Sequence, residues 1–215
     1  MSVSVQESLL DVCDEPSLGP LGTSVRRTPL AHGAWVDLRP GWLAGSGAVF
    51  GRLAGQYGQY GAVPWRAEKR HMYDKVVAVP RLLCFYGEDA PLPDPVLTAA
   101  RQALNAHYGP ELGEEFRTAG LCLYRDGRDS VAWHGDTIGR GQTEDTMVAI
   151  VSLGTPRALL LRPRSGGASR RFEVGHGDLL VMGGSCQRTW EHAVPKTTQP
   201  VGPRMSVQFR PRGVR

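Results

Sequence analysis

His134 and Asp136 stand two residues apart in the run Trp133-His134-Gly135-Asp136, and another histidine, His192, follows well downstream. Side chains at i and i+2 of a strand share a face, so this imidazole and carboxylate can converge on one metal ion. A second imidazole makes a facial set of two nitrogens and one oxygen. That set leaves three octahedral positions open, as Fe(II) requires if it is to hold an organic co-substrate and O2 together. A closed structural zinc site needs a fourth ligand, and the cysteines at 13, 84, 122 and 186 form no CxxC pair.

A second constellation lies near the C-terminus. In Pro203-Arg204-Met205-Ser206-Val207-Gln208-Phe209-Arg210, strand periodicity puts Arg204, Ser206, Gln208 and Arg210 on one face and Met205, Val207 and Phe209 on the other. Guanidinium forks match carboxylates in bidentate fashion. The polar face therefore suits 2-oxoglutarate, which has two carboxylates, one able to chelate a metal together with its keto oxygen. An edge strand with solvated arginines is the alternative reading of the same pattern.

The elements that must position these groups are mostly strands. Short β-rich runs at 147–153, 158–162, 179–182 and 205–210 are separated by turn residues. Ser165-Gly166-Gly167 reads as a hairpin connection and Gly175-His176-Gly177-Asp178 as a turn. An eight-stranded jelly roll accommodates these pieces. Ahead of them, residues 95–109 have apolar positions at helical spacing, with Asp94 in front and a glycine stop. A second helix is expected over 42–56, weakened by its internal glycines. Residues 1–30, with Pro16, Gly19, Pro20 and Gly22 and no sustained periodicity, read as irregular.

The chain has 215 residues, 41% of them hydrophobic, enough for one substantial core and one domain. No apolar run approaches the roughly 20 residues that span a bilayer, and no leader pattern is visible, so a cytoplasmic protein without membrane attachment is expected. Cysteines without pairing signatures suit that reducing compartment. The net charge is +4. Its basic residues concentrate in Arg66, Lys69, Arg70, Lys75 and Arg81, and again in Arg162, Arg164, Arg170 and Arg171. Such clusters can neutralise phosphates, or can be ordinary solubilising charge.

Several segments together resemble the AlkB-like Fe(II)- and 2-oxoglutarate-dependent oxygenases, which remove alkyl groups from nucleobases. Residues 124–136 resemble that family's strand, turn and metal-ligand run, 148–154 its buried core strand, and 177–184 with 190–196 the stretch around its distal ligand. The likeness covers roughly residues 70 to 213, with the motifs in order. It implies a mainly β fold with flanking helices, a double-stranded β-helix or jelly roll. Residues 31–215 would form a single catalytic domain, with supporting helices and a nucleotide-recognition lid over about 31–110 and the jelly-roll core over about 111–215. His134, Asp136 and His192 would bind Fe(II), while Tyr124, Arg204 and Arg210 would hold 2-oxoglutarate, with O2 as the oxidant. The family commonly has asparagines where this chain has Cys122 and Ser206, so the 2-oxoglutarate contacts at those two positions differ.

Residues 71–81 resemble the family's lid, including a Pro-Arg pair ending at Arg81 and a later Tyr86-Gly87. Met72 and Tyr73 fall at a hairpin-like tip, where an apolar side chain can wedge into a base stack, or can pack the lid onto the sandwich. The aromatic that stacks on the flipped base in relatives has no counterpart in Glu88-Asp89-Ala90-Pro91-Leu92-Pro93, which leaves Trp65, Tyr73 and Tyr86 as replacements. The family's acidic residue after the metal aspartate is Thr137 here. The implied activity is oxidative demethylation of N-alkylated bases in DNA or RNA by a monomer. An oxygenase of proteins or small metabolites, and a non-catalytic jelly roll that binds nucleic acid, are the alternatives.

Overall fold

The computed structural model describes residues 15–58, 63–72 and 75–214. Two short strands and their neighbours come first: β1 (Ser17–Leu18), β2 (Arg26–Pro29), β3 (Ala34–Arg39) and β4 (Leu43–Ala44). Helix α1 (Ser46–Gly58), the hairpin β5 (Arg66–Met72) and β6 (Lys75–Tyr86), and helix α2 (Pro95–Leu112) follow. The remainder is β7 (Phe116–Tyr124), β8 (Val131–His134), β9 (Val148–Gly154), β10 (Arg157–Pro163), β11 (Arg170–Val174), β12 (Leu179–Gly184), the one-turn α3 (Cys186–Thr189), β13 (Trp190–Val194) and β14 (Arg204–Pro211).

Twelve of the strands make a jelly roll of two unequal sheets, and β1 pairs with β4 apart from them. The major sheet runs β2-β3-β12-β9-β14-β7-β6-β5 and the minor sheet β11-β10-β13-β8, with antiparallel pairing throughout. Expectation and structure differ for the N-terminal segment. Its described part is not uniformly irregular, because β2 pairs with β3 and closes the far edge of the major sheet.

Alternation along the strands divides the interior into two cores. One face of the major sheet carries Leu121, Leu123, Ala149, Val151, Leu153, Met205, Val207 and Phe209 against Val49 and Leu53 of α1 and Leu97, Leu104 and Tyr108 of α2. Each such large apolar side chain contributes roughly 1.5–3 kcal/mol by leaving water. The opposite face carries Val148, Ile150, Leu180 and Met182 against Leu159, Leu161, Trp190 and Val194 of the minor sheet. Strand β9 is buried on both faces, which explains why its sequence reads as a continuous apolar run.

Asp94 caps α2, accepting a hydrogen bond from the Val96 amide at 3.0 Å. The helix runs past Gly109 and Pro110 to end at Gly113, whose φ of 77° is the left-handed conformation that glycine tolerates. The earlier glycine was the more visible stop in the sequence. The later one is used because its amide closes the last turn onto the Gly109 carbonyl at 2.8 Å.

Candidate active site

The site lies between the sheets, where β8 and β13 face β7 and β14. His134 and His192 are directly opposed across the β8–β13 pair, with an irregularity just past His192, and their ring centroids are 4.2 Å apart. Strand β8 ends at His134, so Asp136 is not placed by the pleat of a strand. The bend after Gly135 presents it instead, with the Asp136 amide donating to Gln187 Oε1 at 2.9 Å. A Cβ on Gly135 would stand 2.4 Å from the Gln187 carbonyl oxygen, so this linker accepts no side chain without displacing α3.

One ligand atom from each of His134, Asp136 and His192 lies within 4.8 Å of the other two, close enough to share one ion. The surroundings settle which atoms are available. His134 Nδ1 lies 2.8 Å from the Ala132 carbonyl oxygen, so it carries the proton and leaves the Nε2 lone pair for a metal. Arg210 Nε donates to Asp136 Oδ2 at 2.9 Å, and Oδ1 is left 3.9 Å from His134 Nε2. Burial pushes the His192 imidazole down to about 3, reinforced by His134 and Arg210, which keeps it neutral as a ligand must be. Burial alone would raise the Asp136 pKa, but Arg210 and the two histidines outweigh it and hold the carboxyl well below the usual carboxylate range.

The adjoining cavity of about 70 Å³ is lined by Arg81, Cys122, Tyr124, Arg204, Ser206, Gln208 and Arg210, together with the three candidate ligands. That volume is several times the roughly 10–15 Å³ that admits one water. Strand β14 is fifth in the major sheet, and its polar face supplies four of these groups, as its alternation predicts. Arg204 is buried, with its guanidinium 5.2 Å from the Tyr124 ring centroid and its Nε donating to Ser152 Oγ at 3.2 Å. Its Nη1 is buried and has no hydrogen-bond partner among the described residues. A buried guanidinium N–H without an acceptor is costly, and a carboxylate entering the cavity would satisfy it. Ser206 and Cys122 face each other across β14 and β7, both bonded to Gln208: Gln208 Nε2 donates to Ser206 Oγ at 2.6 Å, and the Cys122 thiol donates to Gln208 Oε1 at 3.7 Å. A Cβ on Gly120 would lie 2.9 Å from Arg210 Nη1 and 3.1 Å from Gln208 Oε1, so this glycine gives both side chains their room.

The structure thus brings His134, Asp136, His192, Tyr124, Arg204, Ser206, Arg210, Cys122 and Arg81 to one cavity. Two residues expected to touch substrate are elsewhere. Trp65 packs against the helix-side core and donates its indole N–H to the Leu53 carbonyl at 3.1 Å. Tyr86 also packs into that core, because it alternates with Phe85 on the opposite face of β6. Met72 ends β5 with its backbone paired to Lys75, while its side chain and Tyr73 lie outside the described residues. Four residues were missed from sequence. Gln208 shares the arginine face by simple alternation, and Phe85 shares the parity of Arg81, so both had a signal. Gln187 and Arg157 had none, because each acts through backbone groups distant in sequence.

The four arginines at 162, 164, 170 and 171 also look different in three dimensions. Arg162 and Arg164 both pair with Glu191, and Arg171 pairs with Glu173, so much of that cluster's charge is neutralised locally.

Comparison with known proteins decides the family. The model of the 2OG-Fe(II) oxygenase superfamily matches residues 64–210. The chain belongs to the 2OG-Fe(II) oxygenase superfamily. Within it the chain is AlkB-like: it is 31% identical over 221 residues to the alpha-ketoglutarate-dependent dioxygenase alkB homolog 3 of Bos taurus, covering 91% of this chain and 69% of that protein. It is 32% identical over 134 residues to the DNA oxidative demethylase ALKBH2 of Arabidopsis thaliana, covering 51% of this chain and 42% of the relative. The chain spans between 53% and 69% of the length of the first three curated relatives it matches. The solved structure of OsALKBH1 superposes with a TM-score of 0.56 at 15% identity, over 87% of this chain and 100% of the other, a likeness of fold. The donor set and the arginine-lined cavity fit the Fe(II) and 2-oxoglutarate for which this superfamily is named.

Proposed function

We propose that this 2OG-Fe(II) oxygenase demethylates N-alkylated nucleobases in DNA or RNA. The observation that carries this reading is the way the cavity opens. Minor-sheet side chains pack with β3, β12, β9 and β7, whereas at the β5–β6 end of the major sheet the described side chains of β5 are exposed and those of β6 half-buried to exposed. On that open floor Phe85 is 48% exposed and pairs with Gly120, which in turn pairs with Gln208. Antiparallel partners share a face and neighbouring strands lie about 4.8 Å apart, so an aromatic ring stands two strands from the cavity wall. A planar base can stack there while its alkyl group reaches toward the triad.

In this reading His134, Asp136 and His192 hold Fe(II), and Arg204, Arg210 and Tyr124 hold 2-oxoglutarate. When bound, the iron and 2-oxoglutarate supply the oxidation: O2 is consumed, succinate and CO2 leave, and one oxygen atom is inserted into a C–H bond of the N-linked methyl group. The resulting N-hydroxymethyl group loses formaldehyde and leaves the free base. The chain's own contribution is placement. Ala132 fixes the tautomer of His134, Arg210 orients Asp136, burial keeps His192 neutral, and the β14 face aligns the co-substrate. The relative from Arabidopsis thaliana named as a DNA oxidative demethylase supports the substrate class.

The test is aerobic incubation with Fe(II), 2-oxoglutarate and N-methylated single- and double-stranded DNA and RNA, reading base masses and succinate together. Loss of a methyl mass coupled to succinate is expected. Succinate with no change in any base would redirect the search to proteins or metabolites, and silence in both channels would favour a binder.

A further inference from the structure

Arg81 belongs by sequence likeness to the lid, but its side chain lies in the wall of the central cavity, beside Cys122 and Tyr124. Its Nη1 donates to the Ser130 carbonyl at 3.0 Å, and the Ser130 amide donates back to the Pro80 carbonyl at 2.9 Å, so β6 and the turn before β8 fix the guanidinium in place. The Arg81 Nε is buried and has no hydrogen-bond partner among the described residues, the same condition as Arg204 Nη1 in the same cavity. Three guanidiniums line this space against one carboxylate, Asp136, whose Oδ2 is already taken by Arg210. Buried donors of this kind are retained where a ligand satisfies them. A tie between β6 and the turn needs only the bond to Ser130, and the buried Nε is left over from it.

We propose that Arg81 is a co-substrate-positioning residue, whose Nε–H and the Nη1–H of Arg204 together hold the carboxylate of a bound 2-oxoglutarate. This rests on the functional reading above. It assigns to 2-oxoglutarate a residue that its sequence neighbourhood suggests for nucleic acid, and it gives the pocket a donor from β6 in addition to those of β14.

The experiment measures 2-oxoglutarate binding calorimetrically to the Mn(II)-loaded protein, for the wild type, Arg81→Met and Arg81→Lys. Mn(II) affinity and the binding of a fluorescent single-stranded oligonucleotide are measured in parallel. The expected result is a tenfold or greater rise in the 2-oxoglutarate Kd for Arg81→Met. A smaller rise is expected for Arg81→Lys, which keeps the charge and loses the Nε–H. Mn(II) and oligonucleotide affinities should stay within twofold of wild type. Should Arg81→Met fail to fold, the Arg81→Lys comparison decides alone. Unchanged 2-oxoglutarate affinity, or a loss confined to the oligonucleotide, overturns this inference and leaves the functional reading standing. A wild-type protein that binds no 2-oxoglutarate overturns both.

Discussion

Between the first two candidate ligands, Gly135 is held against the Gln187 carbonyl, and the Gln187 side chain holds the next amide. One residue of α3 therefore sets the angle between His134 and Asp136. Gly135→Ala would force a Cβ to within 2.4 Å of that oxygen, and the backbone must rotate to relieve it. We expect at least a tenfold loss of Mn(II) or Fe(II) affinity with the melting temperature of the metal-free protein little changed, read by metal titration alongside thermal denaturation. Unaltered metal affinity would show that the ligand run tolerates movement. The individual ligands make a harsher case, since Asp136→Ala should abolish succinate formation while the sandwich stays folded. At this scale the sequence was most legible where chemistry needs particular residue types: two histidines and an aspartate, two arginines and a tyrosine. It was silent on Gln187, because a glutamine that accepts from a backbone amide across 51 positions leaves no periodic trace.

The turn joining β7 to β8 is the element on which the site's approach depends. Arg157, buried at the start of β10, donates to the carbonyls of Asp126, Asp129 and Pro195 at 3.2, 3.1 and 2.7 Å, clamping that turn to the strand carrying His192. Arg157→Met leaves three carbonyls without their donor, and we expect a loss of about 2–4 kcal/mol in chemical denaturation. A change below about 0.5 kcal/mol would mean that the turn holds itself. Asp129 offers a second handle. Burial would raise its pKa, but the side chain and amide of Arg125 more than compensate, so the carboxyl is held below its ordinary 3.8. A depressed folded-state pKa gives stability that is present above 3.8 and is lost as the pH falls through the folded value. The melting temperature of the wild type should therefore drop more steeply below pH 3.8 than that of Asp129→Asn, and parallel curves would contradict this. Strands and the β14 alternation could be read from the chain because period two is imposed by burial on one face. The end of α2 was misplaced by four residues, since two glycines compete and tertiary closure chooses between them.

At the level of the molecule, the inequality of the two sheets decides what can enter. The β5–β6 end of the major sheet lies outside the minor sheet's packing, and Phe85 stands exposed there. Phe85→Ala should raise KM for a methylated oligonucleotide by about fivefold or more, as expected for loss of one stacked base at about 1–3 kcal/mol. Succinate formation without repair should persist, and Phe85→Trp should restore coupling. A variant with wild-type KM would remove Phe85 from the substrate path. The jelly roll and its order of motifs were visible in the chain, and the exposed aromatic only in part: Phe85 shares the parity of Arg81, but which side of β6 adjoins the cavity is set by its pairing with β7. Strand β14 has a further consequence through its place in the sheet, hydrogen-bonded to β9 on one side and β7 on the other. With neither edge free, its amides can exchange with solvent only when the whole sheet opens. The backbone positions that carry Arg204 and Arg210 are thus held from both sides, and the gap between them is set by the sheet before any ligand arrives.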